Sequence, residues 1–348
     1  MILSRTLVIA FNELFLILPM FAVMLLAWHR KYQRRVLVAA LFSFLYLLGV
    51  LLATQVLSKL TGWWWYGVSD RALLGMPVQL WLGWALVWGP LTYLALSRVS
   101  PWILMGFLFA LDVGSMPLLN PLVVLSDEWL AGEFFLLFAA FLPAQYLARW
   151  TFQDRLLPWR AALLAIGYGC CAFLVLPSAI MKAMGDSWVF QWFWPTPVYF
   201  ACVLGLFVNL VIGLSAVQLF VVHGGCTPIP LDNTKRIVRT GLYAYFTNPM
   251  QSSTAATWIL LGFVFKSFWV CAAAAMAYVF VKGLVRWHHR QDLAVRFPVA
   301  WQEYQANVPS WRPRWRPWIP VPACIKFNPR IAGHRWLRTF HLRPKDAG

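Results

Sequence analysis

The chain has 348 residues, 61% of them hydrophobic and only 12% charged, with a mean hydropathy of +0.65. A soluble domain is nearer half apolar and a quarter charged, so this composition excludes an ordinary water-soluble globule and indicates a membrane protein. The six cysteines, at 170, 171, 202, 226, 271 and 324, show no CxxC spacing and lie mostly in apolar runs, which excludes a disulfide framework and a zinc site.

Apolar runs of spanning length fall near 7–28, 36–57, 78–97, 103–125, 131–150, 161–183 and 198–222. A shorter pair near 252–265 and 268–287, separated by Lys266-Ser267, reads as a helical hairpin. The first run is too long for a signal-peptide core and reads as a retained transmembrane helix. A span needs about 20 apolar residues, so the pattern predicts an all-α, polytopic membrane bundle of about nine transmembrane helices. With the N-terminus outside, 24 of the 29 Lys and Arg residues fall on inner segments and five on outer ones. The positive-inside rule then puts the interval 223–251 and the C-terminus in the cytoplasm of a cell inner membrane.

Trp63-Trp64-Trp65-Tyr66 and the group Trp188, Trp192 and Trp194 are placed as interfacial aromatic belts. Charge at bilayer depth is costly, which singles out Glu13, Asp112 and Glu133. Asp112 lies in LDVGSMPLLNP, where Gly114, Pro117 and Pro121 loosen the helix. It is either a substrate contact in a chamber or a buried carboxylate bonded to a neighbouring helix. Glu133 follows Asp127-Glu128 and reads as first-turn acid favoured by the helix dipole.

His223 to Gln251 is the one long polar interval of the second half. Gly224-Gly225 permit positive φ and expose amides. Thr227-Pro228-Ile229-Pro230 is stiff, and Asp232-Asn233-Thr234 offers a cap or turn. Lys235, Arg236 and Arg239 precede Thr240-Gly241-Leu242-Tyr243-Ala244-Tyr245, and Asn248-Pro249 opens the hairpin as cap and first helical residue. Such a loop suits an anionic or nucleotide-like ligand at a helix N-terminus. His288-His289 is not a metal site, because adjacent helical residues point about 100° apart.

Beyond the hairpin, Leu293, Phe297, Trp301, Tyr304, Val308 and Pro309 recur at fixed spacing. Together with Thr240 to Pro249 and the GCTPIP entry to the loop, they resemble the isoprenylcysteine carboxyl methyltransferase and phospholipid methyltransferase superfamily over roughly residues 215–318. The resemblance implies a membrane-embedded enzyme that uses S-adenosylmethionine. By position, Gly225, Tyr243, Tyr245, Asn248, Pro249, His289 and Asp292 would line the cofactor pocket. Arg236 or Arg239 would place a carboxylate acceptor, and Asn248 would serve the transfer itself. The departures are Thr247 in place of Arg, Gln251 in place of Tyr, His289-Arg290 in place of paired Glu, and Pro298 in place of Gly.

The chain therefore divides into an N-terminal bundle at 1–195, a methyltransferase-like domain at 196–318 and a basic tail at 319–348. The expected activity is methyl transfer to a lipophilic carboxylate or amine acceptor that enters from the bilayer. A lipid or isoprenoid reductase or hydratase, and a non-catalytic protein of the same fold, are the open alternatives. The interleaved Trp, Arg and Pro of Ser310–Trp318 read as an anchor to membrane lipids rather than a nucleic-acid contact.

Overall fold

The computed structural model describes residues 5–29, 31–67, 71–120, 122–188, 196–229, 231–232, 234–288 and 292–319. His289, Trp192, Trp194, Pro121, Cys324 and the basic tail lie outside the described residues.

Among the described residues the chain is mostly helical. The helices are α1 (Arg5–His29), α2 (Arg34–Thr61), α3 (Val78–Leu86, continued to Leu96), α4 (Pro101–Ser115, with a 3-10 end Met116–Leu119) and α5 (Trp129–Leu136, continued to Gln153). After them come α6 (Leu157–Cys170, continued to Met184), α7 (Thr196–Leu219, continued to Gly224), α8 (Pro249–Val264), α9 (Phe268–Phe280, continued to His288) and the short α10 (Pro298–Asn307). The first nine fall where the nine apolar runs are expected. Six of them, α2, α4, α5, α6, α7 and α9, are long and apolar enough to cross a membrane.

The hairpin is tight as expected. Lys266 takes φ 50°, and the Ser267 hydroxyl caps α9 by accepting from the Val270 N–H at 3.2 Å. One run is shorter than its hydropathy suggests. After Asn120 the apolar residues Val123–Leu125 form a strand, β4, antiparallel to β1 (Trp64–Tyr66). The two short strands β2 (Ala72–Leu73) and β3 (Met76–Pro77) pair beside them. Valine, leucine and tryptophan serve a strand as well as a helix, and only the pairing partner decides.

α2 is the central helix, with Ala39, Phe42, Leu47 and Leu52 fully buried against α3, α5 and α6. Three of its neighbours carry a widened π turn next to a proline: Val87–Leu91 at Pro90, Leu137–Phe141 before Pro143, and Cys171–Val175 before Pro177. Proline donates no N–H and crowds the carbonyl four residues back, which forces such a turn. Side chains from other helices collect the carbonyls left over. The Tyr46 hydroxyl donates to the Ala139 carbonyl at 2.6 Å, and that is the carbonyl Pro143 leaves without its usual donor. The Gln145 amide donates to the Trp88 carbonyl at 2.5 Å and the Trp258 indole to the Ala172 carbonyl at 2.7 Å. The prolines thus become inter-helix fastenings.

Candidate functional site

The polar interval folds into a structured loop at the ends of α7, α8 and α9. Two further π turns bound it, Phe220–Gly224 and Val281–Val285. No proline explains either one, and such turns recur at functional sites. Phe220 from the first and Val285 from the second line a cleft together with Ile229, Asp232, Tyr243 and Asn248. The free space in it is about 50 Å³.

Tyr243 is buried, its ring tilted against Phe220 with centroids 5.7 Å apart. Burial holds its phenol well above the ordinary tyrosine value, so the ring acts as a neutral face. Asn248 is 4% exposed and stands at the head of α8, with Pro249 at the first helical position. Its expected capping bond is absent. The amide nitrogen donates to the Thr247 hydroxyl at 3.1 Å and to the Ser310 carbonyl at 3.3 Å. These two acceptors draw the side chain away from the helix amides.

The remaining sequence candidates spread around this cleft. Gly225 takes φ 66° as the left-handed cap of α7, and its N–H donates to the Val221 carbonyl at 3.2 Å. That amide is committed to ending the helix, so it is not among the bare amides expected for a cofactor. Arg236 is exposed. Burial of Val238 against Ala216 and Tyr243 leaves Arg239 facing Glu303, 3.7 Å away, with its guanidinium over Trp318. Neither arginine lines the cleft. Tyr245 is half-buried and also lies outside the lining, and Asp292 is buried and ion-paired with Arg296 at 3.1 Å.

Two supports of the loop escape sequence reasoning. The first is Arg160, 1% exposed, which bridges Asp154 at 3.0 Å and Asp232 at 2.8 Å. Asp232 also accepts from the Thr227 N–H at 3.1 Å, and Lys235 reaches Asp154 at 3.0 Å. A buried guanidinium thus pins the loop to the turn between α5 and α6. Burial works against ionisation of Asp154, but Lys235 and Arg160 outweigh it and hold the carboxyl below its ordinary value. Next to this network the Cys226 thiol is pushed up to about 12, first by burial. The only sequence signal of Arg160 is that it is a charged residue among the apolar residues that open α6.

The second support is the segment after α10. The Thr247 N–H donates to the Pro309 carbonyl at 3.0 Å, the Arg314 N–H to Tyr245 at 3.1 Å, and the Trp318 N–H to Ala244 at 2.9 Å. Ser310–Trp318 therefore clasps the 244–247 strip through its backbone, while Trp315 stays fully exposed. Leu293, Trp301, Tyr304 and Val308 pack into one small core beside Ile237 and Trp318.

Asp112 lies far from this loop. It is buried on α4 and meets Glu133 of α5 side chain to side chain. Glu133 is itself only 4% exposed, so it is a buried partner on a neighbouring helix, and it stands past the first turn of α5, in which the dipole reading placed it. Packing of α4 on α5 decides this, and a single helix's periodicity does not report it. Among the described residues no group of three or more His, Cys, Asp and Glu is placed to hold a metal ion. Comparison with protein-family models, with curated protein sequences and with solved structures gives no match for this chain.

Proposed function

We propose that the protein is a membrane-embedded, S-adenosylmethionine-dependent methyltransferase acting on a lipophilic acceptor. In this reading all nine helices cross or enter the bilayer, the N-terminus is outside, and the loop and C-terminus face the cytoplasm. The supporting observation is that the two blocks carrying the family resemblance meet in space. The Tyr304 hydroxyl donates to the Tyr243 carbonyl at 2.7 Å, and Thr247 bonds to Pro309. The first block lines a cleft at the N-terminus of α8, and the second braces that block through these bonds.

The residues fit the cofactor in kind. Phe220 and Tyr243 offer ring faces to a sulfonium or an adenine. Thr234, Asn248 and Gln251 offer polar atoms, and the head of α8 favours a carboxylate. The free space of about 50 Å³ is far smaller than a nucleoside. Binding therefore requires Pro228, Ile229 and Asp232 to part from Met250 and Gln251. When bound, the cofactor supplies a methyl group activated on sulfur, and the chain's contribution is to hold the acceptor in line with it.

The acceptor in this reading is a lipophilic carboxylate or amine. Asp232, in the cleft wall, is already paired with Arg160 at 2.8 Å, and Arg236 and Arg239 are turned elsewhere. An amine acceptor has to arrive deprotonated before it attacks. The acceptor's apolar part would lie along α7, whose Leu204, Phe207, Val211 and Leu214 are exposed.

The test is equilibrium binding of labelled S-adenosylmethionine to the full chain in nanodiscs. Saturable binding is expected, with a loss of tenfold or more for Tyr243→Leu and for Asn248→Ala. Absence of saturable binding by the parent protein sinks the proposal.

A further inference from the structure

The opposite end of the bundle holds a second site. Glu133 and Asp154 bracket α5, and 21 residues at 1.5 Å each place Glu133 about 30 Å from the loop network. There the β1–β4 pair closes over a cavity lined by Trp64, Tyr66, Trp84, Trp88, Trp129 and Glu133. Four indoles and a phenol are among the lining side chains, and the faces of such rings carry negative potential.

Among the described residues no cation pairs with the charge there. The Glu133 Oε1 and Asp112 Oδ2 atoms are buried without a hydrogen-bond partner, in residues 4% and 6% exposed. Their other contact is with each other. Two carboxyls in hydrogen-bond contact share a proton, which leaves one net negative charge within an aromatic wall. An uncompensated buried charge is costly, and a monovalent cation offsets it.

We infer that this cavity binds a primary or methylated ammonium group, held by the Glu133 carboxyl that lines it, with Asp112 as the partner of that carboxyl, and enclosed by the aromatic side chains. The lining decides the class of cation. Hard metal ions want about six oxygen ligands, and the described residues provide no cluster of His, Cys, Asp and Glu suited to a metal. Aromatic walls with a carboxylate suit an organic ammonium through cation–π attraction. The size agrees. The cavity has about 30 Å³ of free space, two or three times the roughly 10–15 Å³ that one water requires.

The experiment is a scintillation-proximity assay with labelled methylammonium on the full chain in nanodiscs, at fixed ionic strength. Saturable binding is expected, competed by tetramethylammonium and not by Na⁺ or Mg²⁺. Glu133→Gln should weaken binding at least tenfold while leaving the protein folded, since it removes the one carboxyl that lines the cavity and keeps the shape. Trp129→Leu, on the half-buried rim, should weaken it about threefold to thirtyfold, the range of one cation–π contact. Asn248→Ala in the loop should leave it unchanged. No saturable binding by the parent would mean that the pair holds only its proton, and the inference fails. It fails equally if Mg²⁺ competes, or if Glu133→Gln and Trp129→Leu bind like the parent.

Discussion

Arg160→Met tests whether the guanidinium holds the loop in place. The substitution keeps the apolar stem and removes the charge. Asp154 would lose one 3.0 Å contact but keep Lys235 at 3.0 Å and Arg35 at 3.9 Å. Asp232 would keep only the Thr227 N–H, at 3.1 Å. Breaking a buried pair costs about 3–5 kcal/mol. Because Asp154 keeps other cations and is partly exposed, about 3 kcal/mol is expected, most of it at Asp232. Adding Asp232→Asn should return at least about 1.5 kcal/mol, the size of a hydrogen bond to a charged group. The assay is denaturant unfolding in mixed micelles, with alkylation of Cys226 as the local probe. Cys226 is 1% exposed with its thiol pushed up to about 12, so it should resist maleimide in the parent and react in Arg160→Met. If Arg160→Met unfolds within about 1 kcal/mol of the parent and Cys226 stays protected, the network does not hold the loop.

Acid should weaken the same docking. A carboxyl with a depressed folded value, such as Asp154, stabilises the fold above its unfolded value and loses that contribution as pH falls through the folded value. Exchange of the 226–235 amides, corrected for intrinsic rates, should be flat from about pH 5 to 8 and rise below about pH 4. Gly241→Ala meets both a φ of 59° and the Leu219 side chain, whose Cδ1 lies 2.6 Å from the new Cβ. A loss of about 1–2 kcal/mol in the same unfolding assay is expected, and Leu219→Ala should recover only the steric part. Tyr46→Phe strands the Ala139 carbonyl beside Pro143 and should cost about 0.6–1.7 kcal/mol. Pro143→Ala in the same chain should remove most of that penalty by restoring the local donor.

The positions of the long helices were legible because hydropathy reports burial in lipid directly, run by run. What hydropathy does not report is pairing. Trp64–Tyr66 reads as an interfacial belt until Val123–Leu125 comes alongside it. Glu133 reads as a dipole partner until α4 sets Asp112 against it. The loop is visible as polar residues amid apolar ones, and Tyr243 and Asn248 do gather at its cleft. Arg236 and Arg239 were assigned by proximity in sequence, but the burial of Val238 turns Arg239 toward Glu303. The Ser310–Trp318 clasp was read by composition as a membrane anchor. Its grip comes from backbone amides, which carry no side-chain signature.

That clasp also sets an order of events during synthesis. Asn248 and its acceptor Ser310 are 62 residues apart, with the whole α8–α9 hairpin between them. At roughly 5–20 residues per second, translation needs about 3–12 s to deliver the second half of the contact. During that interval the Thr247 N–H and the Ala244 and Tyr245 carbonyls wait unclaimed, while the Tyr245 and Phe246 N–H groups already turn back to the Leu242 carbonyl. A chain stopped after the hairpin and before Ser310 would carry every residue that lines the cleft and yet lack the contacts that brace it.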